Sequence, residues 1–167
     1  MFSVTERGYN GRLTIDTLLP VPENLEMCAV TDPEDFDVFG VKYPAALFEG
    51  RRNDAGACRI MVSPKTPRER DCFLHVLQVS DGDAGIMEQP VLLEGSGFRG
   101  VLLRDTAVLF LEGECLEMAL ELPKSCARVM LCGISGLWQW NGETAHISET
   151  SNYLVLENCH RLQGRKL

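Results

Sequence analysis

Three histidines, two pairs of neighbouring arginines, a tryptophan pair and seven cysteines are the side chains of this chain best equipped for chemistry. His75 lies inside the apolar run RDCFLHVLQVSD (residues 70–81). A general base needs partners within hydrogen-bond reach. None is visible around His75, so a packed histidine with one bonded ring nitrogen is the expectation. His146 and His160 stand apart, without the H-x-H or H-E-x-x-H spacing that holds zinc. Arg51 and Arg52 open the turn-rich segment RRNDAG, and Arg68 and Arg70 form the other basic concentration. A guanidinium grips a carboxylate with two parallel hydrogen bonds. Arg51 and Arg52 are therefore candidate contacts for an acidic sugar, against the simpler reading of solvated loop charges. Arg70 beside Asp71 reads as a strand-end ion pair, which contributes little. Trp138 and Trp140 sit two apart, so a strand places both rings on one face. They are candidate sugar contacts as a stacking platform, or they cap a core. Their neighbours Leu137 and Gln139 do not decide which face is buried.

No G-x-S-x-G elbow, phosphate-binding loop or dinucleotide fingerprint occurs. Gly95-Ser96-Gly97 opens a strand and reads as a turn. No cofactor and no metal are implied. The seven cysteines cannot all pair within the chain, and no CxxC spacing suggests a zinc ribbon or a thioredoxin-like site. Cys58, Cys72 and Cys132 sit in apolar runs, where cysteine acts as a small hydrophobe. Reduced thiols are expected.

The elements that must position these residues are strands. Short apolar runs bounded by Gly, Pro, Asn and Asp recur through all 167 residues. Residues 12–19 alternate, with Leu13, Ile15 and Thr17 on one face, and Pro20 and Pro22 end the run. Short strands follow at 36–39 and 58–63. Residues 72–80 form the longest run and are apolar on both faces, which predicts a central strand covered on both sides. Residues 83–97 read as a linker. Seven closely spaced strands are predicted between 98 and 157, including 116–122 in preference to a helical turn. Asn141-Gly142 is the hairpin signal of a type I′ turn. Residues 161–167 read as a frayed polar tail.

Hydrophobic residues make up 45% of the chain, enough for a real core. The net charge of −8 is shared equally by the two halves. It argues against nucleic acid or an anionic membrane as partner, since both need a basic footprint. The first residues lack the basic and apolar blocks of a secretory leader.

The order GRLTIDTLLP, FDVFGVKYP, CRIMVSP and RDCFLHVLQVSD resembles the downstream part of the heparinase II/III-like polysaccharide lyases. LRDTAVLFLE, ARVMLCGISGLWQW and YLVLEN are similar to the small C-terminal β-domain of heparinase II. The first strand-pair is the more specific match; the second half is a more generic strand pattern. The resemblance implies an all-β fold: the end of a large antiparallel β-sandwich (residues 1–82) followed by a smaller one (98–160). Such enzymes cleave beside a uronic acid by β-elimination. A base removes the C5 proton, the carboxylate is neutralised, and an acid protonates the leaving oxygen. In the family these groups, and a structural zinc where present, come from an α/α toroid and earlier strands of the central sandwich. The expectation is thus a non-catalytic portion whose partners are that toroid and central sandwich, with an acidic polysaccharide as the substrate class. The abrupt start is expected to leave sheet edges uncovered and to favour self-association. Family members are often periplasmic or exported.

Overall fold

A computed structural model describes residues 2–5, 11–31, 37–38, 40–42, 58–83, 85, 87–112 and 115–167. The described chain is all-β, its one helical piece being a 3-10 turn at Pro22–Asn24. Two compact units result. One comprises Met1–Leu18 with Leu74–Leu167, the other Leu19–Phe73.

The larger unit carries a two-layer sandwich. Its first sheet runs β15 (Tyr153–Glu157), β12 (Arg128–Cys132), β10 (Thr106–Leu111), β9 (Phe98–Leu103) and β8 (Val91–Gly95). Its second runs β11 (Glu117–Glu121), β16 (Arg161–Lys166), β13 (Gly136–Trp140) and β14 (Glu143–Ile147). Alternation along each strand supplies the core. Phe98, Ala107, Leu109, Val129 and Leu131 point inward from the first sheet. Met118, Trp138, Trp140, Ile147 and Leu162 meet them from the second. Most pairs are antiparallel, but β10 and β12 are parallel, with Ala107 opposite Val129 and Leu109 opposite Leu131. A parallel pair needs a crossover, and β11 makes it by passing through the opposite sheet. Asn141 and Gly142 both take positive φ, 49° and 93°, in the β13–β14 turn, as a type I′ hairpin requires.

A third sheet of the same unit runs β1 (Phe2–Thr5), β2 (Gly11–Leu19) and β7 (Leu74–Asp81). Thr14 on β2 and Gln78 on β7 are buried. Gln78 Nε2 donates to Glu88 O at 2.9 Å, tying β7 to the segment before β8. The smaller unit contains the antiparallel pair β3 (Leu25–Thr31) and β6 (Cys58–Pro64) and the short pair β4 (Asp37–Val38) and β5 (Val41–Lys42).

Three expectations from the sequence need correction. Residues 83–97 are not all linker: β8 lies among them and pairs with β9, Leu93 opposite Gly100. Residues 161–167 are not a frayed tail: β16 pairs on both sides, with β11 and with β13. Its polar side chains alternate with Leu162 and Gly164, which are buried, so its polarity marks one wet face. β7 is not covered on both sides: it ends its sheet among the described residues, and Leu77 and Val79 are 61% and 80% exposed.

Candidate functional site

Trp138 and Trp140 form a stacked pair, ring centroids 4.9 Å apart and planes within 10°. The shared strand face produces this geometry, as their spacing implies. The rings point inward, however, and each is only 2% exposed. Register explains the direction. Trp138 is opposite Ala145 on β14, and Trp140 is opposite Gly164 on β16. Those small partners leave room for indoles on the core side. Trp138 Nε1 donates to Ser135 O at 3.0 Å. Trp140 Nε1 finds no hydrogen-bond partner among the described residues. Neither ring offers a face to a sugar, so the stacking-platform expectation is overturned and the core-packing alternative holds.

Arg51 and Arg52 lie outside the described residues. Arg68 N donates to Asp71 Oδ2 at 3.0 Å, so Asp71 closes a local turn. His75 is exposed on β7, and its Nδ1 lies 3.0 Å from Thr17 Oγ1 on β2. One ring nitrogen is bonded as expected, but the ring is not packed away. His146 is exposed on β14 and His160 at the β15–β16 corner. Among the described residues, no three His, Cys, Asp or Glu side chains gather as a metal site.

Two grooves among the described residues depend on strands whose setting differs from the sequence expectation. The first, about 620 Å³, lies between β7 and the outer face of β9 and β10. Val101, Leu103, Val108 and Phe110 form its apolar side. Consecutive residues Leu74–Val79 line the other, so β7 presents its edge there as well as one face. The outer sheet face continues apolar beyond the groove: Met130 and Cys132 on β12 are followed by Val155 and Tyr153 on β15. Burial raises the Cys132 thiol above its ordinary value. His75, Gln78, Arg104, Asp105 and Thr106 add polar groups to its apolar lining.

The second groove, about 660 Å³, is lined by β11, β16 and β13 of the second sheet together with Ser96 and Phe98 of the β8–β9 turn. Glu117, Arg165 and Gln139 form one cross-strand row there. Arg165 Nε donates to Gln139 Oε1 at 2.9 Å, which orients both side chains. Gln163, Asn141 and Ser96 add to the polar lining; Asn141 Oδ1 accepts the Gln163 N–H at 2.8 Å. Carboxamides, a guanidinium and a carboxylate together donate and accept hydrogen bonds to hydroxyl groups. Sequence reading placed Arg165 and Gln163 in the tail. The signal available for them was the alternation Arg161, Leu162, Gln163, Gly164, Arg165.

Ion pairs on the outer faces are exposed. Arg99 bridges Glu94 and Glu112 across β8, β9 and the end of β10, and Arg128 meets Glu157 at 3.1 Å. Such pairs orient side chains more than they stabilise the fold. No family model matches the chain, and no curated protein is significantly similar to it.

Proposed function

We propose that this chain is a structural β-sandwich portion of a heparinase II/III-like polysaccharide lyase. In this reading it supports domains that carry out β-elimination on a uronic-acid-containing polysaccharide. The observation that carries the reading is the open apolar groove between β7 and the β9–β10 sheet. Leu77, Val79 and Phe110 stand in or beside it substantially exposed. A contiguous apolar surface beside a strand edge is what a sheet presents when another domain is meant to cover it. The resemblance of GRLTIDTLLP and RDCFLHVLQVSD names the covering domains: an α/α toroid and the remainder of a central sandwich.

The test has two arms. The isolated chain, given heparin, heparan sulfate or alginate, is expected to produce no absorbance from unsaturated uronate. A rise in that absorbance sinks the non-catalytic assignment. The chain is also expected to co-purify with the toroid and central sandwich of a heparinase II/III-like lyase lacking the corresponding portion. Leu77→Asp together with Val79→Asp should abolish co-purification. Absence of association by the unsubstituted chain removes the supporting role.

A second reading, a carbohydrate-binding β-sandwich, loses the tryptophan pair but keeps one observation. The polar groove holds Arg165, Gln139 and Gln163 in fixed rows on a sheet face. Gln139→Ala with Arg165→Ala should then remove binding to an acidic oligosaccharide without shifting the melting temperature. No binding by the unsubstituted chain in calorimetry rules this reading out.

A further inference from the structure

Three inward-facing rows of the sandwich run out at the same end. On β10 the row is Ala107, Leu109 and Leu111. On β13, read backwards, it is Trp140, Trp138 and Gly136. On β16 it is Leu162, Gly164 and Lys166. Alternation thus puts a lysine on the core side of its sheet, directly opposite Trp138. Lysine almost never belongs to a core row. Its stem passes over Gly136, where a Cβ would meet Lys166 Cε at 3.5 Å. The residue is exposed, so the stem covers apolar surface while the ammonium stays in reach of water.

The three rows do not close on one another. A cavity of about 430 Å³ lies where they end. Leu111, Leu116 and Ile134 form its apolar side, and buried Trp138 closes it toward the core. Its polar groups are Cys115, Ser135 and Lys166. Two of these are already engaged: Cys115 Sγ donates to Glu117 O at 3.3 Å, and Ser135 O accepts from Trp138 Nε1 at 3.0 Å. Lys166 Nζ has no hydrogen bond or ion pair among the described residues, which exclude Gly113 and Glu114. No described Asp or Glu lines the cavity. Glu112 is held by Arg99, and Glu117 stands in the outer row with Arg165. Apolar walls with one unengaged cation are the composition of a small-molecule site, whose few polar groups fix the ligand's orientation.

We propose that this end cavity binds a small amphipathic carboxylic acid. The tail packs against Leu111, Leu116 and Ile134, and the carboxylate accepts charge-assisted hydrogen bonds from the Lys166 ammonium. Both halves of the ligand are needed. A purely apolar molecule leaves the ammonium without an anion, and a small inorganic anion leaves the walls wet. The net charge of −8 repels anions at a distance, but salt screens that repulsion beyond about 8 Å, and the lysine acts inside that range. Cys115, half-buried in the same cavity, reports occupancy without being required for it. The inference is independent of the lyase reading.

The test follows alkylation of the full chain by iodoacetamide, read cysteine by cysteine in peptide mass spectra. Millimolar hexanoate, hexanol or hexylamine is present in parallel samples. Hexanoate is expected to slow labelling of Cys115 saturably and to leave the exposed Cys28 and Cys72 labelling as in buffer. Hexanol and hexylamine should need at least about tenfold more ligand for the same protection, the worth of a hydrogen bond between charged groups. Lys166→Gln, which keeps a polar stem and removes the charge, should weaken hexanoate by a similar factor and leave hexanol unchanged. Equal protection by hexanol and hexanoate, or better protection by hexylamine, overturns the ligand class. Undiminished hexanoate protection in Lys166→Gln overturns the lysine's part. An unprotected Cys115, or all three cysteines slowed together, overturns the site. The comparison of probes is made on the unsubstituted chain, so it stays decisive even where the variant fails to fold.

Discussion

Gly164 faces Trp140 across β13 and β16, and the indole occupies the space that a Cβ would take. A methyl group there would overlap Trp140 Cζ3 and Cε3. Because the ring is held in a packed core, it cannot swing aside cheaply. Gly164→Ala is expected to destabilise the chain by about 1–3 kcal/mol, the usual cost of overpacking. Adding Trp140→Leu should recover part of that loss, a coupling readable in a double-mutant cycle by urea unfolding. At Cys126 and Cys132 the prediction concerns pH. Both thiols titrate above the ordinary value of 9.0 in the folded chain. The unfolded chain therefore gives up these protons first as pH rises. Their contribution is fully present below the ordinary thiol range and is lost as pH climbs from there through the raised folded values. The melting temperature should fall in that alkaline window. Cys126→Ala and Cys132→Ala should each flatten the decline, whatever they do to stability at neutral pH.

At the scale of the element, β16 decides whether the second sheet exists. It is bonded to β11 on one side and β13 on the other, so removing it separates β11 from the β13–β14 pair. Ending the chain after His160 should abolish the cooperative thermal transition. The milder Leu162→Ala, at a fully buried position, should cost about 2–5 kcal/mol. β7 makes the opposite case. Leu77 and Val79 lie on its open face, so Leu77→Lys with Val79→Lys should change stability by no more than about 0.5 kcal/mol at each site. The same pair of changes should reduce association of the chain in light scattering, because charge on an open strand blocks edge and face pairing. Both elements show where sequence reading stops. The period of two in Phe73, His75, Leu77 and Val79 is legible, but an apolar face looks the same whether or not a layer lies over it. The alternation in β16 is equally regular, yet three exposed basic residues mask a strand whose other face is buried.

For the whole molecule, the sandwich built from β8 to β16 contains a complete core of its own. Every member of the main buried cluster lies between Phe98 and Leu162. Residues 88–167 alone are therefore expected to melt cooperatively and keep the near-ultraviolet signal of the stacked tryptophans. Loss of that signal on circular dichroism would show that β1, β2 and β7 are required for packing.

The residues themselves carry the all-β character, the strand positions, the Asn141-Gly142 hairpin and the pairing of Trp138 with Trp140 on one face. All of these follow from local rules: a period of two, turn residues that accept positive φ, and apolar runs of strand length. Only the tertiary structure decided that the tryptophans face the core, that β7 is open and that β16 is central. Each of these depends on which strand lies beside which, and that is set by register and layer packing between residues far apart in the chain.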